Sequence, residues 1–210
     1  DTRQPGQKFA ALRLSPTRAP IKDYDAFEVS RMAGVEKVVD LGTGLAVIAN
    51  NTWRAFQAAA LVQPGQACFL DAGSTTLALA EELARREGLT VVTNSLEAAM
   101  VLARRPDCEV RLLGGRIETD VPATYGEQTV AEIGRLQVDW ALVSPVGFDA
   151  VNGAMDYLWN EATVARAMLG RANKRVVLAD SSKLGQASRI QICPAADVDV
   201  LVTDGGADAG

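Results

Sequence analysis

From about residue 62 onward, apolar runs of strand length alternate with amphipathic segments of helix length, and this alternation restricts the fold of the 210-residue chain more than any other property. The strand-length runs are apolar throughout rather than at every second position. Strands of that kind are buried on both faces, which is typical of a parallel sheet covered by helices. We therefore predict an α/β fold with a doubly wound, mostly parallel sheet and helices on both faces.

The individual elements can be placed from the same pattern. The six predicted strands span residues 68–70, 90–93, 109–113, 140–146, 175–179 and 198–203. The four predicted helices span residues 75–86, 96–104, 126–136 and 160–172, where apolar residues recur at helical spacing. Gly88 and Pro106 follow two of these helices closely, as residues that end helices commonly do.

The beginning of the chain has a different texture. Prolines and glycines interrupt residues 1–60, and only residues 28–39 and 52–62 have the pattern of short helices. The GTG at residues 42–44 lacks the later glycine of a dinucleotide fingerprint, so we predict a turn there. We expect residues 1–60 to form an irregular linker or packing arm without an evident helix-turn-helix, and residues 61–210 to form the α/β domain.

Composition and charge exclude several classes of protein. The chain is 48% hydrophobic and 22% charged, with a formal net charge of −5, and residues 61–210 carry the acidic excess. A surface that binds nucleic acid is usually strongly basic, so this acidic chain is not expected to hold DNA by itself. The chain contains no histidine, which removes Ser-His and Cys-His nucleophile pairs and the usual zinc ligand. We expect no catalytic residues, no metal and no cofactor.

The cysteines and the apolar runs bear on the compartment. Cys68, Cys108 and Cys193 are an odd number at wide spacing, which predicts free buried thiols in a reducing compartment. No apolar run approaches the roughly 20 residues of a membrane span, and no signal peptide opens the chain. These features predict a cytoplasmic protein without membrane contact.

Polar or glycine-rich segments follow five of the predicted strands. They lie at residues 71–76, 93–95, 114–115, 145–153 and 179–185. In an open α/β sheet, ligands bind in the crevice beyond the carboxyl ends of the strands. The five segments are therefore predicted to meet at one site.

The segment DAGSTT, residues 71–76, has the character of a phosphate cradle. A buried strand is followed by a small turn at Gly73 and by hydroxyl residues, Ser74, Thr75 and Thr76, that open a helix. The first N–H groups of a helix lack intrahelical partners, and the helix dipole places partial positive charge there, so an anion is favoured. Capping of the helix by Ser74 or Thr75 is the alternative without a ligand.

Eight motifs occur in series between residues 69 and 204: FLDAGSTT, VVTNS, RLLGG, GEQTVAEI, VGFDAVNGAM, NEATVARAM, VVLADSSKLG and DVLVTD. The series resembles the carboxyl-terminal effector-sensing domain of the DeoR family of bacterial transcriptional regulators. The resemblance implies an isomerase/CoA-transferase-like fold, similar to ribose-5-phosphate isomerases and sugar-phosphate deaminases. It also implies a sensor of a phosphorylated sugar or related metabolite.

The family's other properties are expectations too. Most members repress sugar or sugar-derivative metabolism and bind operator DNA through an amino-terminal winged helix-turn-helix, which residues 1–60 do not display. Two-fold oligomers suit palindromic operators, so a homodimer or homotetramer is expected.

Motif by motif, the resemblance and the strand-end rule predict a set of ligand-binding residues. They are Asp71, Gly73, Ser74, Thr75, Thr76, Thr93, Asn94, Ser95, Gly114, Gly147, Asp149, Glu161 and Lys183.

Simpler roles stand beside several of these predictions. Asp71 either contacts a sugar hydroxyl or braces its own turn. Residues 93–95 either contact the ligand or cap the next helix, and Gly114 either admits the ligand or lets the backbone turn sharply. Glu161 either binds sugar hydroxyls or faces solvent, and Lys183 either reaches a phosphate or is a solvated loop lysine.

Three functions can be compared on these residues. An effector-sensing domain of a regulator explains the whole motif series. A sugar-phosphate isomerase of the same fold is the alternative, since Asp71, Asp149, Glu161 and Lys183 offer a carboxylate base and a cation. A nucleotide-binding or purely structural module is least favoured, because no GK[ST] phosphate loop is present.

Overall fold

The computed structural model describes residues 9–14, 35–40, 44–49, 64–118 and 121–204. For the first three of these ranges we discuss only the backbone.

Fourteen strands and four α-helices occur in the described residues. The strands are β1 (Phe9–Leu14), β2 (Val35–Asp40), β3 (Gly44–Ala49), β4 (Ala67–Leu70), β5 (Leu89–Thr93), β6 (Cys108–Leu112), β7 (Arg116–Glu118), β8 (Ala123–Tyr125), β9 (Val138–Val143), β10 (Gly147–Asp149), β11 (Gly153–Asp156), β12 (Ala172–Leu178), β13 (Ile190–Cys193) and β14 (Val200–Asp204). The helices are α1 (Ser74–Leu83), α2 (Leu96–Leu102), α3 (Glu127–Ile133) and α4 (Trp159–Gly170), and short 3-10 turns span Ser181–Lys183 and Ala195–Asp197.

Nine strands form the main sheet, in the order β2-β3-β1-β14-β12-β9-β4-β5-β6. The six strands from β14 to β6 are parallel to their neighbours. Counted along the chain, these six strands have the order 3-2-1-4-5-6 of a doubly wound sheet, and the order reverses between β4 and β9. All six predicted strands are confirmed within a few residues, as is the doubly wound α/β fold.

Helices cover both faces of the parallel sheet. Cys68 and Leu70 of β4 pack in one apolar cluster, which also contains buried residues of α1 and α2. Phe69, which lies between them in the sequence, packs in a second cluster with α3 and α4. Successive strand residues point to opposite faces, so the two clusters are the two sides of one sheet. The four predicted helices are confirmed, and each ends a few residues earlier than predicted.

The amino-terminal part of the chain corrects one prediction. Of the helix predicted at residues 28–39, the described part is strand β2, which pairs antiparallel with β3. Three valines in β2 favour an extended strand, and pairing with a neighbour overrides a weak helical pattern. Of the turn predicted at residues 42–44, only Gly44 is described, and it begins β3. Residues 28–34, residues 42–43 and the helix predicted at residues 52–62 lie outside the described residues.

Strand β1 pairs antiparallel with β14, β3 pairs antiparallel with β1, and β2 pairs antiparallel with β3, so the three strands continue the main sheet. The division at residue 60 remains a prediction.

Two smaller sheets lie beyond the carboxyl ends of the parallel strands. One is the hairpin of β7 and β8, which follows β6, and the other is formed by β10, β11 and β13. These sheets supply side chains that the parallel strands alone would not bring to the crevice. Within the described part of the chain, no helix is long and apolar enough to cross a membrane.

Candidate ligand-binding site

The turn between β4 and α1 lies at the point where the strand order reverses. The Asp71 N–H donates to the carbonyl of Leu142 in β9 (3.1 Å), which ties the end of β4 to the neighbouring strand. Gly73 has φ +143°, a conformation that side chains rarely adopt, and its carbonyl accepts from the Leu77 N–H at 2.8 Å and from Thr76 Oγ1 at 3.0 Å. The glycine therefore lets the chain leave the strand and enter the helix within three residues.

The first turn of α1 has no side-chain cap among the described residues. Gly73 occupies the N-cap position, and neither Ser74 nor Thr75 performs the capping that the sequence left open. Ser74 is exposed and Thr75 is half-buried, so their hydroxyls and the first N–H groups are accessible from the crevice. Because the dipole also places positive charge here, this end of α1 favours an anion.

Lys183 brings a cation to the same edge of the sheet. It ends the turn Ser181–Lys183, which follows β12 and is capped by the Asp180 carboxylate through the Ser182 N–H (2.9 Å). Its Nζ donates to Ser144 Oγ at 3.4 Å. Ser144 directly follows β9, the strand beside β4, so the lysine reaches back toward the centre of the crevice. Ser144 was missed because it falls inside a run predicted to be strand.

A cluster of acidic side chains, here called the acidic cluster, consists of Asp71, Tyr125, Asp156 and Glu161. The Asp156 carboxyl and the Tyr125 hydroxyl lie close enough to Glu161 to affect its pKa, and Asp71 experiences the charges of Asp156 and Glu161. Asp156 Oδ1 also accepts from the Tyr157 N–H at 2.6 Å. The four residues come from β4, β8, β11 and α4, and Asp71, Tyr125 and Asp156 are buried.

Burial makes Asp71, Glu161 and Tyr125 hold their protons more strongly than they would in water. Burial, and then the charges of Asp156 and Glu161, raise the pKa of Asp71 to about 8, although the Ala72 N–H opposes this shift. Burial and the charge of Asp156 raise the pKa of Glu161 to about 7, with Glu118 adding to the effect. Burial also raises the pKa of Tyr125. Asp71 and Glu161 therefore gain or lose protons near neutral pH.

The three residues predicted to contact the ligand at the end of β5 are all buried, and each has a hydrogen-bond partner within the protein. Thr93 Oγ1 accepts from the Ser95 N–H (3.0 Å), and Ser95 Oγ accepts from the Ala98 N–H (3.2 Å), which caps α2. Asn94 Nδ2 donates to the Thr124 carbonyl at 3.4 Å, but its Oδ1 has no partner among the described residues. Capping thus accounts for Ser95, whereas Asn94 keeps an unused acceptor.

The other predicted residues have local structural roles as well. The Gly114 N–H donates to Glu132 at 2.9 Å, and a side chain at Gly147 would collide with a backbone carbonyl. The Asp149 carboxylate accepts from the N–H groups of Val151 (2.7 Å) and Asn152 (2.6 Å), and bonding to Asn152 lowers its pKa. These bonds brace turns, and ligand contact by these residues stays a prediction.

Asp156 and Tyr125 were not found from the sequence. Each lies in a strand of three or four residues, too short to show a period. The only signal was a single acid or phenol beside small and apolar residues, which is common in any chain. Their role depends on antiparallel pairing that brings these strands over the crevice.

The fold and the crevice together define a doubly wound α/β domain with a candidate ligand site at its topological switch point. The family model described as the DeoR C terminal sensor domain matches residues 54–205. The chain therefore belongs to the DeoR family, and the resemblance of its motifs is confirmed.

Curated relatives agree with this family. The chain is 35% identical to the uncharacterized HTH-type transcriptional regulator YgbI of Escherichia coli (strain K12), over 71% of this chain and 58% of the relative. It is 35% identical to the HTH-type transcriptional repressor GlcR of Bacillus subtilis (70% and 56%), and 30% identical to the glycerol-3-phosphate regulon repressor of Haemophilus influenzae (70% and 57%). The chain thus spans a little more than half the length of these relatives.

Solved structures resemble the chain in fold only. Ribose 5-phosphate isomerase A from Methanocaldococcus jannaschii matches with a TM-score of 0.45 and 22% identity, over 63% of this chain and 51% of the isomerase. A chain of the tetrameric eIF2B-beta2-delta2 complex from C. thermophilum matches with a TM-score of 0.51 and 14% identity, over 72% and 52%. The first likeness is too slight to support an argument, and the second extends no further than the fold.

Proposed function

We propose that this sensor domain binds a phosphorylated sugar or related metabolite in the crevice at the carboxyl ends of β4, β9 and β12. The observation that carries the proposal is the uncapped amino terminus of α1, which lies at the switch point of the sheet with the Lys183 ammonium two strands away. A helix terminus and a lysine are the two groups that most often bind phosphate in α/β proteins.

In this proposal, the phosphate receives hydrogen bonds from the first N–H groups of α1 and from the hydroxyls of Ser74 and Thr75. Lys183 adds a mobile positive charge, and Ser144 orients it. The remainder of the ligand extends toward Asp71 and Glu161, where carboxyl oxygens accept bonds from hydroxyl groups. Asp71, Ser74, Thr75 and Lys183 have places in this arrangement, whereas Thr76 is buried and its hydroxyl donates to the Gly73 carbonyl.

For the whole protein, we propose a transcriptional repressor of sugar or sugar-derivative metabolism. The printed names of relatives, an HTH-type repressor and a glycerol-3-phosphate regulon repressor, support this class. Operator DNA would be bound by a helix-turn-helix, in a homodimer or homotetramer that matches a palindromic site. The effector would favour one arrangement of the sensor, and DNA binding would follow that choice.

A thermal-shift screen against phosphorylated sugars tests effector binding. A ligand at about one hundred times its Kd stabilises the native state by about 2.7 kcal/mol. For a chain of this size, that raises Tm by roughly 5–10 °C. We expect at least one phosphorylated sugar to raise Tm with increasing concentration, and the same sugar without phosphate to have no effect. A broad panel without any shift would contradict the proposal.

A charge variant sharpens this test. Thr75→Asp places a carboxylate in the first turn of α1, which has no acidic residue and whose dipole favours one by about 0.3–1 kcal/mol. The unliganded variant should therefore be as stable as the wild type, while the response to the sugar phosphate is lost. Asn173→Asp, at the amino end of β12, adds the same charge far from the crevice and should keep the response. Equal responses in both variants would exclude the end of α1 as the phosphate site.

Sugar-phosphate isomerisation is a second candidate, favoured by one observation. A general base works best when its pKa lies near the working pH, and that of Glu161 is raised to about 7. Turnover of a phosphopentose or phosphohexose by the purified protein, abolished by Glu161→Gln, would establish an enzyme. A thermal shift without turnover would leave the sensor as the sole function of the crevice.

A further inference from the structure

The crevice has two ends of opposite electrostatic character. The amino terminus of α1 and the Lys183 ammonium form the positive end. The acidic cluster forms the negative end, and its member Asp71 lies closest in sequence to the positive end, two residues before Gly73. A ligand held at both ends must therefore differ in charge from one end to the other.

The acidic cluster is rich in acceptors that lack cationic partners. Among the described residues, no lysine or arginine forms an ion pair with Asp71, Asp156 or Glu161. The charge of another carboxylate, Glu118, raises the pKa of both Glu161 and Tyr125, and Glu118 itself forms an ion pair with Arg116 at 2.8 Å. Within the described residues, Asp71, Asp156 and Glu161 therefore have no direct cationic partner.

A second acceptor without a partner lies at the same edge of the sheet. Asn94 is fully buried, and its Oδ1 receives no hydrogen bond from the described residues. It follows Thr93, which is paired in register with Leu70, so Asn94 stands beside Asp71 at the ends of adjacent strands. A buried acceptor without a donor is costly, and a donor supplied by a ligand would remove that cost.

We propose that the effector carries only one anionic group, its phosphate, and that its opposite end is a neutral or cationic chain rich in hydroxyl or amino donors. This inference rests on the proposed function and narrows its ligand class. Sugar phosphates, polyol phosphates and amino-sugar phosphates fit the two ends. Bisphosphates and phosphorylated sugar acids place a second anion against Asp71, Asp156 and Glu161, and are disfavoured.

Proton exchange at the negative end gives this proposal a distinct signature. Burial and the charges of Asp156 and Glu118 raise the pKa of Glu161, whereas the Tyr125 hydroxyl lowers it. Burial and the charges of Asp156 and Glu161 raise the pKa of Asp71, and the Ala72 N–H lowers it. A second anion would bind only when the cluster takes up a proton, so its affinity falls as pH rises. Binding of an amino group would make the cluster release a proton, whereas binding of a hydroxyl chain would cause neither uptake nor release of a proton.

Matched ligand sets test the proposal without any variant. We would measure, by calorimetry at pH 8.5, binding of ribose 5-phosphate and 5-phosphoribonate, and of glucose 6-phosphate, glucosamine 6-phosphate and 6-phosphogluconate. Inorganic phosphate probes the positive end alone. Within each set, the sugar acid should bind at least about tenfold more weakly than the sugar phosphate. This difference in affinity should be smaller at pH 7, where Asp71 and Glu161 hold more of their protons. The phosphate group has an ordinary pKa of about 6 and is still mostly dianionic at pH 7.

Asp156→Asn provides the matched variant. It keeps the side chain's size and an acceptor for the Tyr157 N–H, but it removes one charge from the acidic cluster. The variant should reduce the difference in affinity between the sugar acid and the sugar phosphate, and it should leave the affinity for inorganic phosphate unchanged. Glu161→Gln serves the same purpose if Asp156→Asn does not fold.

The outcomes separate the two proposals. If the sugar acids bind as tightly as the matched sugar phosphates at pH 8.5, the single-anion inference is wrong while the proposed function stands. The single-anion inference is also wrong if neither Asp156→Asn nor Glu161→Gln reduces the difference in affinity between sugar acid and sugar phosphate. If none of the phosphorylated compounds binds, and the broad panel also fails, the proposed function itself is lost.

Discussion

At the scale of single residues, Asp71 is a carboxylic acid held in a largely buried environment. The residue is 9% exposed, and burial raises the pKa of its carboxyl to about 8. A carboxyl with a higher pKa in the folded than in the unfolded state binds its proton more tightly when folded. Protonated Asp71 therefore stabilises the folded state fully below about pH 4, the ordinary pKa of an aspartic acid. This stabilisation is lost as pH rises through 8, the pKa of Asp71 in the folded state.

We therefore expect the free energy of unfolding to fall between pH 5 and pH 8.5, and Asp71→Asn to reduce that fall. Each pKa unit corresponds to about 1.4 kcal/mol, so the contribution of this residue is on the order of several kcal/mol. Urea unfolding across this pH range measures the change. Glu109→Gln, which alters an exposed carboxyl of β6, is the control and should follow the wild-type curve. Parallel curves for wild type and Asp71→Asn would show that Asp71 titrates normally.

Residues also show where sequence reasoning was sufficient. Ser74, Thr75 and Lys183 could be predicted because each follows a strand in the sequence, and the carboxyl ends of parallel strands meet by rule. Asp156 and Tyr125 could not, because no rule places an antiparallel strand of three or four residues over a particular part of the sheet. The positions of the residues at the positive end were therefore predictable, whereas two of the four residues of the acidic cluster were not.

At the scale of elements, the turn between β6 and β7 positions the hairpin that carries Tyr125. Gly115 has φ +142°, and an added Cβ would lie 2.7 Å from the Tyr125 carbonyl and even closer to Thr129 Oγ1. The Thr129 hydroxyl in turn donates to the Gly114 carbonyl at 2.7 Å. The hairpin of β7 and β8 can approach α3 only because this position lacks a side chain.

Gly115→Ala should therefore be more destabilising than the same change at Gly126. Both glycines have positive φ, and an alanine there costs about 1–3 kcal/mol, but Gly126 has no atom within 4 Å of an added Cβ. The variant at Gly115 must also displace β8. Urea unfolding measures the difference, and we expect effector affinity to fall only for Gly115→Ala. Equal losses of stability and affinity would mean that backbone strain alone matters at both turns.

The length of an element decided whether the sequence could predict it. β4, β5, β9 and β12 are apolar runs, and α1 and α4 are long enough to show a helical period, so their positions were predicted within a few residues. β2 was misread because three valines within a short mixed segment fit either period. Its identity comes from pairing with β3, which is not a local property.

At the scale of the whole molecule, two apolar clusters share one sheet. Leu102 of α2 is buried in the first cluster and Met168 of α4 in the second, and both are completely buried. Adjacent residues of β4 belong to different clusters, so neither face can lose its packing without disturbing the strand that supports the other. The described α/β part of the chain should therefore unfold as one unit.

We expect Leu102→Ala and Met168→Ala each to lower the free energy of unfolding by about 2–5 kcal/mol. Each should shift one transition rather than create a second. Circular dichroism would follow the helices, and tryptophan fluorescence would include Trp140 of β9, which is 8% exposed. Coincident curves are expected for both variants. A separate early transition in either variant would show that the two faces are independent units.

The strand order that creates the crevice also affects how the protein is made. β4 pairs with β5, which follows it closely, and with β9, where Asp139 accepts from the Ala67 N–H across 72 positions of sequence. At translation rates of about 5–20 residues per second, roughly 4–14 seconds separate the synthesis of β4 from that of β9. During that interval, one edge of an apolar strand has no partner. Nascent chains of this domain should therefore depend on chaperones during synthesis, before an effector site exists.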